Sequence, residues 1–180
     1  MVKRAAIFSL LFATLITAVP AVAEVPPASE LNNDQQNLIR QNCGRAQAEL
    51  RNLQKRDTVL RINRGRLYDM TLRQTGAFIS RLDVHKIEAP AVKSTESAIR
   101  AEYQQFILDY DHYGDSLNTA ITMKCAEKPR DFYDALKQAA DDRKVVAKDV
   151  ANIKQHIGEY SSELGKLRDQ KFSDQGNKNE

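Results

Sequence analysis

Apolar residues recur by alternating steps of four and three along the last third of the chain, from Phe132 to Leu167. Only Arg143 interrupts this apolar series. Steps of this kind place side chains on one face of an α-helix, and a stripe so long needs a neighbouring helix to cover it. At about 1.5 Å per residue, the stripe predicts a rod of roughly 54 Å.

An earlier stretch of the chain, from Ile39 to Phe78, carries the same spacing. Ser29 or Asn33 is placed to cap this helix, and Asp34 suits its positive end. Gly65 and Gly76 weaken the helix interior by up to about 1 kcal/mol each, which makes bending or fraying between Asn63 and Gly76 an alternative, but the pattern predicts one long helix to about Leu82. The predicted seam consists of Ile39, Cys43, Ala46, Leu50, Leu53, Asp57, Leu60, Arg64, Leu67, Thr71, Gln74 and Phe78.

A middle stretch rich in aromatic residues predicts the second helix. Pro90 suits the first turn of a helix, whereas Ser94-Thr95-Glu96 offers a later start. We expect Cys125 to end this helix. Its apolar series consists of Tyr103, Phe106, Tyr110, Tyr113, Leu117, Ala120 and Lys124. The aromatic members fall mostly on this seam, so core packing explains them better than a sticky surface for clients.

Together these patterns predict an all-α protein, an elongated up-down-up three-helix bundle with coiled-coil-like (heptad) packing. We expect helices at about 30–82, 90–126 and 129–168. An extended leader at 24–29 precedes them, since it contains two adjacent prolines. Residues 169–180 are polar and are expected to form a disordered tail.

The N-terminal segment predicts export. Lys3 and Arg4 precede a short apolar run, which ends in small residues up to Ala23. This order is typical of a cleavable signal peptide, and the run is shorter than a membrane span. We therefore expect residues 1–23 to be removed and the product to be secreted or periplasmic, with no transmembrane span.

Two cysteines remain after cleavage, Cys43 and Cys125. In an oxidising compartment such a pair favours one structural disulfide over two free thiols. A zinc site is not expected, because none of the three histidines stands at ligand spacing from a cysteine.

The disulfide also predicts the register of the helices. If Cys43 faces Cys125, the first turn is centred near residue 84, and Arg143 comes to lie within about a helical turn of Asp57. We therefore predict a buried ion pair between Asp57 and Arg143, completed by Asp111 or the Tyr113 hydroxyl. The alternative is that both long side chains reach solvent from a thin bundle.

Charge is unevenly distributed along the chain. Residues 40–86 carry 11 Lys or Arg against four acids, and residues 88–142 carry six against 11. Pairing between neighbouring helices explains most of this asymmetry. A more specific hypothesis is that an arginine-rich cluster in this region binds anions. That cluster consists of Lys55, Arg56, Arg61, Arg64 and Arg66.

Signals of catalysis are weak. Asp111 and Asp115 lie one helical turn apart, a spacing that suits a divalent cation but is also common on acidic helix surfaces. The chain has no Gly-rich phosphate loop, no H-E-x-x-H and no G-x-S-x-G. We therefore expect no catalytic residues, no metal and no cofactor.

Three functions are consistent with these patterns. The first is a non-enzymatic helical scaffold or interaction protein of the cell envelope or extracellular space, which binds a protein or an envelope polymer. The second is a periplasmic-type holdase chaperone, whose broad layout this chain shares. The third is an enzyme or a metal-binding protein, which requires a pocket or a bound ion. Nucleic acid is not expected, because removing the signal peptide leaves 25 Lys or Arg against 24 acids.

Self-association is the remaining question. Several apolar residues of the first helix lie off its predicted seam, which indicates contact with a second neighbour or a homo-oligomer. They are Val59, Ile62, Met70, Leu72 and Ile79.

Overall fold

The structure, a computed structural model, describes residues 31–176, with side chains described as far as residue 170. This part of the chain forms three helices and no strand: α1 (Asn33–Val84), α2 (Pro90–Thr122) and α3 (Pro129–Gly176). The protein is therefore a helical bundle, as the apolar spacing predicts. The predicted signal peptide and leader lie outside the described residues.

The start of α1 differs by one residue from its prediction. Asn32 is the cap: its side chain accepts a hydrogen bond from the Gln35 backbone amide at 2.9 Å, and the Gln35 side chain accepts one from the Asn32 amide at 2.9 Å. This reciprocal capping box satisfies two amides that would otherwise lack partners. Asn33 is already helical, and Ser29 lies outside the described residues.

The glycines of α1 do not interrupt it. The helix is continuous from Asn33 to Val84, so neither Gly65 nor Gly76 ends it. The Tyr103 hydroxyl donates a hydrogen bond to the Gly65 carbonyl at 3.3 Å, which ties the weak point to α2. Packing of this kind offsets the low helix propensity of glycine.

Both connections are short. α2 begins at Pro90, the earlier of its two predicted starts, and ends at Thr122. The predicted end at residue 126 is wrong because Met123 adopts an extended backbone, which terminates the helix. Cys125 therefore lies in the turn between α2 and α3 and not in the last turn of α2.

The third helix is longer than predicted. It continues to Gly176, whereas the sequence predicts an end near 168 and a disordered tail beyond it. The residues from Arg168 to Gln175 are mostly polar, and they include neither glycine nor proline, the two residues that weaken a helix most. Polar composition alone therefore placed the end too early. Residues 177–180 lie outside the described part.

α2 and α3 form the tightest part of the core, and α1 touches α3 at only a few positions. Five buried hydrophobic residues of α3 lie seven positions apart. They are Phe132, Ala139, Val146, Ile153 and Tyr160. An aromatic ladder on α2 packs against them and against Tyr68 of α1, with its rings mostly edge to face.

The seam of α1 follows its prediction only as far as Asp57. Beyond it, Leu60 and Leu67 are exposed, whereas Tyr68 and Leu72, both predicted off the seam, are buried. The buried face thus advances by one residue. An α-helix has 3.6 residues per turn, so a strict seven-residue repeat drifts around it by about 20° per heptad.

Candidate functional site

One end of the bundle is closed by the disulfide. Cys43 of α1 and Cys125 are bonded, with their Cα atoms 5.5 Å apart, and Cys125 is fully buried. Beside them, the Gln47 side chain donates a hydrogen bond to the Met123 carbonyl at 2.7 Å. The start of α1 is therefore fixed to the end of α2, as the sequence predicts.

A charged layer crosses the middle of the bundle. Arg143 Nε lies 2.9 Å from Asp57 Oδ2, and its Nη2 lies 3.3 Å from Oδ1, so the pair is bidentate. The Tyr113 hydroxyl donates to Asp57 Oδ2 at 2.7 Å, and the Tyr110 hydroxyl donates to the Asp57 carbonyl. The Asp57 side chain is 8% exposed and that of Arg143 is 51% exposed. One carboxylate thus joins all three helices.

This layer is arranged to stay in one protonation state. The hydrogen bond to Asp57 raises the pKa of Arg143, and burial followed by the same hydrogen bond to Asp57 raises the pKa of Tyr113 far above its usual range. Arg143 therefore remains charged and Tyr113 neutral across the physiological range. A group that does not change protonation state is suited to fixing register and not to acid–base chemistry.

One opening in the described residues lies beside this layer. A cavity of about 420 Å³ is half open to solvent between α1 and α3. Its walls include Leu60 and Arg64 of α1, Lys144 of α3, and the rings of Tyr110 and Tyr113. The cavity is thus lined by cations, by aromatic rings and by the Asp57 carboxylate, which is paired with Arg143.

The structure divides the arginine-rich cluster into two groups. Arg61 forms an ion pair with Asp111 of α2 at 2.6 Å and lies over the Tyr110 ring, and Arg64 is half-buried at the cavity. Lys55, Arg56 and Arg66 are exposed. Pairing with α2 thus accounts for Arg61, and three cations remain at the surface.

These outward cations alternate with exposed apolar side chains. Val59 is 56% exposed, Ile62 is 53% exposed and Met70 is 51% exposed. Steps of four and three bring six residues onto one side of α1, opposite its buried side. We call this surface the outer face; it consists of Lys55, Val59, Ile62, Arg66, Met70 and Arg73. Arg56, Leu60 and Leu67 extend it on one flank.

Only part of the outer face could be recognised in the sequence. Val59, Ile62 and Met70 stand off the predicted seam and indicate a second contact surface. Leu72 and Ile79, grouped with them by the sequence, instead pack against other core residues. The sequence did not show that the buried face of α1 advances by one residue after Asp57, and this advance determines which side chains are exposed.

A second group of acids lies between α2 and α3. Asp149 is buried, and its Oδ2 atom has no hydrogen-bond partner among the described residues. Burial, together with the negative charges of Asp109 and Glu102, raises the pKa of Asp149 to about 6. Asn152 donates a hydrogen bond to Glu102 at 2.8 Å, and Gln105 donates one to Asp109 at 2.8 Å.

Asp149 predicts a pH-dependent stability. Its pKa is raised above the usual value of 3.8, so the folded chain binds this proton more tightly than the unfolded chain. The free energy of unfolding should therefore fall as the pH rises from about 4 through about 6. We expect Asp149→Asn to be about 2 kcal/mol more stable than the wild type near pH 7.5, with no difference below about pH 4. Urea unfolding across this range measures both values; equal curves at all pH values would contradict the assignment.

The structure offers no metal centre in residues 31–170. No group of three or more His, Cys, Asp or Glu side chains there is arranged to hold an ion. Asp111, one of the two acids at cation spacing, binds Arg61 instead. Among the described residues, no helix has both the length and the apolar character that a membrane span requires.

Comparison with known proteins assigns this chain to no family. No protein-family model, no characterised protein and no solved structure matches this chain.

Proposed function

We propose that this chain is an exported, non-enzymatic helical interaction protein of the cell envelope or extracellular space. The outer face of α1 is its binding surface. The rest of the bundle is a scaffold, which the disulfide and the Asp57–Arg143 layer hold in one register.

One observation carries this proposal. Val59, Ile62 and Met70 are each more than half exposed on a helix whose other side is well packed. The bundle could have satisfied its core without them, since Tyr68 and Leu72 fill the same section of α1. Exposed apolar side chains at helical spacing, surrounded by cations, are typical of surfaces that bind a partner.

The compartment is part of the proposal. Residues 1–23 have the order of a secretory signal, and the cysteine pair suits an oxidising environment. The partner is therefore expected in the envelope or outside the cell.

A replacement of the outer apolar side chains tests the proposal. The variant Val59→Ser/Ile62→Ser/Met70→Ser should bind the envelope fraction of the source cells about tenfold or more weakly than the wild type, because it loses apolar burial at the contact. Sedimentation of the purified mature protein with that fraction measures the loss. Because all three positions are exposed, the bundle should keep its thermal stability.

The matched control uses apolar residues exposed on the other two helices. Leu108 of α2 is 56% exposed and Val145 of α3 is 44% exposed. The variant Leu108→Ser/Val145→Ser should sediment like the wild type. If the wild type and both variants sediment equally with the envelope fraction, the outer face is not the binding surface.

A holdase chaperone is the second candidate function. The exposed apolar side chains of α1 also favour it, since such surfaces capture unfolded clients. Suppression of light scattering by a heat-unfolded client, at near-stoichiometric ratios and lost in the Val59→Ser/Ile62→Ser/Met70→Ser variant, would favour the holdase over a scaffold.

A further inference from the structure

We propose that the outer face binds a membrane surface rich in anionic phospholipid, with α1 lying along the plane of the headgroups. This inference deepens the proposed function and rests on it. The partner is defined by its chemistry: a flat, negatively charged layer of phosphates above an apolar interior.

The spacing of the outer face suits such a layer. Its residues run from Lys55 to Arg73, which places them along roughly 27 Å of one continuous helix. Val59, Ile62 and Met70 are exposed along this length and alternate with its cations. Apolar side chains that alternate with cations on a helix face can enter the headgroup boundary, while the long Lys and Arg side chains extend to the level of the phosphates.

Charge complementarity points to an anionic partner. Among the described residues, Lys55, Arg56 and Arg66 form no ion pair, whereas Arg73 pairs with Asp69 at 2.8 Å. The other acid in this section, Asp57, is buried against Arg143. Arginine and lysine near an anionic bilayer each contribute about fivefold in binding.

A second copy of the chain fits this surface less well. A twofold contact between two outer faces would set arginine against arginine, because an isologous interface places the same patch on both subunits. The face is also a convex ridge on one helix, and a groove-binding peptide has no groove there to enter. A flat membrane surface can contact all the side chains of the outer face at the same time.

Tryptophan fluorescence gives a direct test, because the chain contains no tryptophan. The full mature protein carrying Ile62→Trp is titrated with vesicles of phosphatidylcholine mixed with phosphatidylglycerol, and with vesicles of phosphatidylcholine alone. The expected result is a blue shift of emission with the anionic vesicles only. About 1 M salt should reverse it, since the Debye length then falls to about 3 Å.

Two matched variants complete the test. Leu108→Trp places the reporter on an exposed site of α2 beside acids, and it should show no shift. Lys55→Gln/Arg66→Gln, added to Ile62→Trp, should weaken vesicle binding by about 25-fold, as the loss of two surface cations predicts. A loss much smaller than this, with the blue shift retained, would overturn the electrostatic part of the inference.

The remaining outcomes separate this inference from the proposed function. If the envelope fraction retains the protein through the outer face but anionic vesicles do not shift Ile62→Trp, the lipid inference is wrong and the partner is a protein or polymer. If Leu108→Trp shifts as much as Ile62→Trp, the outer face is not the lipid surface. If the variant Val59→Ser/Ile62→Ser/Met70→Ser binds the envelope fraction as tightly as the wild type, the proposed function itself is wrong.

Discussion

Reduction of the Cys43–Cys125 disulfide is expected to lower the free energy of unfolding by about 4.5 kcal/mol. The two cysteines are 82 residues apart in sequence, and a cross-link that closes so long a loop removes much of the entropy of the unfolded chain. The effect should be large for this fold because α1 contacts α3 at only a few positions. Without the bond, α1 depends mainly on its contacts with α2.

Urea unfolding of the mature protein, followed by circular dichroism with and without a reductant, measures this loss. The variant Cys43→Ser/Cys125→Ser supplies the control, because reductant should not change its stability further. A difference below about 1 kcal/mol between oxidised and reduced protein would show that the bundle does not depend on the bond.

Replacing Arg143 by methionine should lower the free energy of unfolding by about 3 kcal/mol. The change leaves the buried Asp57 carboxylate with the Tyr113 hydroxyl but without a countercharge. Breaking a buried pair on one side costs about 3 to 5 kcal/mol, and the half-exposed Arg143 places this pair at the lower end of that range. Denaturant unfolding at neutral pH gives the value.

The matched control removes the whole polar layer. In Asp57→Leu/Tyr113→Phe/Arg143→Met no carboxylate, hydroxyl or guanidinium is left unpaired, and stability should return to within about 1 kcal/mol of the wild type. If the triple variant is instead as unstable as Arg143→Met, the cost comes from lost packing at Arg143 and the charged layer does not act as a unit.

Sequence periodicity predicted the third helix well because its seam is almost entirely apolar. Phe132, Ala139, Val146, Ile153 and Tyr160 are buried at every seventh position. The same approach failed in the second half of α1, where polar residues interrupt the pattern and two phases fit equally well. The packing of Tyr68 and Leu72 against the aromatic rings and the core of the other helices determines which side of α1 is buried.

The parts of the candidate site could be predicted from the sequence to different extents. Two cysteines and two turns suffice to place Asp57 opposite Arg143, because register follows from one fixed contact in a helical bundle. The arginine cluster could not be divided in the same way. Whether Arg61 faces Asp111 or solvent depends on the rotation of α1 about its axis, and that rotation is set by tertiary packing.

Methionine oxidation tests most directly the central claim that α1 binds its partner through the outer face. After Met1 the chain has two methionines, Met70 on the outer face and Met123 at the end of α2. Peroxide converts an exposed methionine to its sulfoxide, and mass spectrometry measures each rate separately. We predict that adding the envelope fraction slows oxidation of Met70 severalfold and leaves Met123 unchanged. Equal rates at Met70 with and without that fraction would contradict the claim.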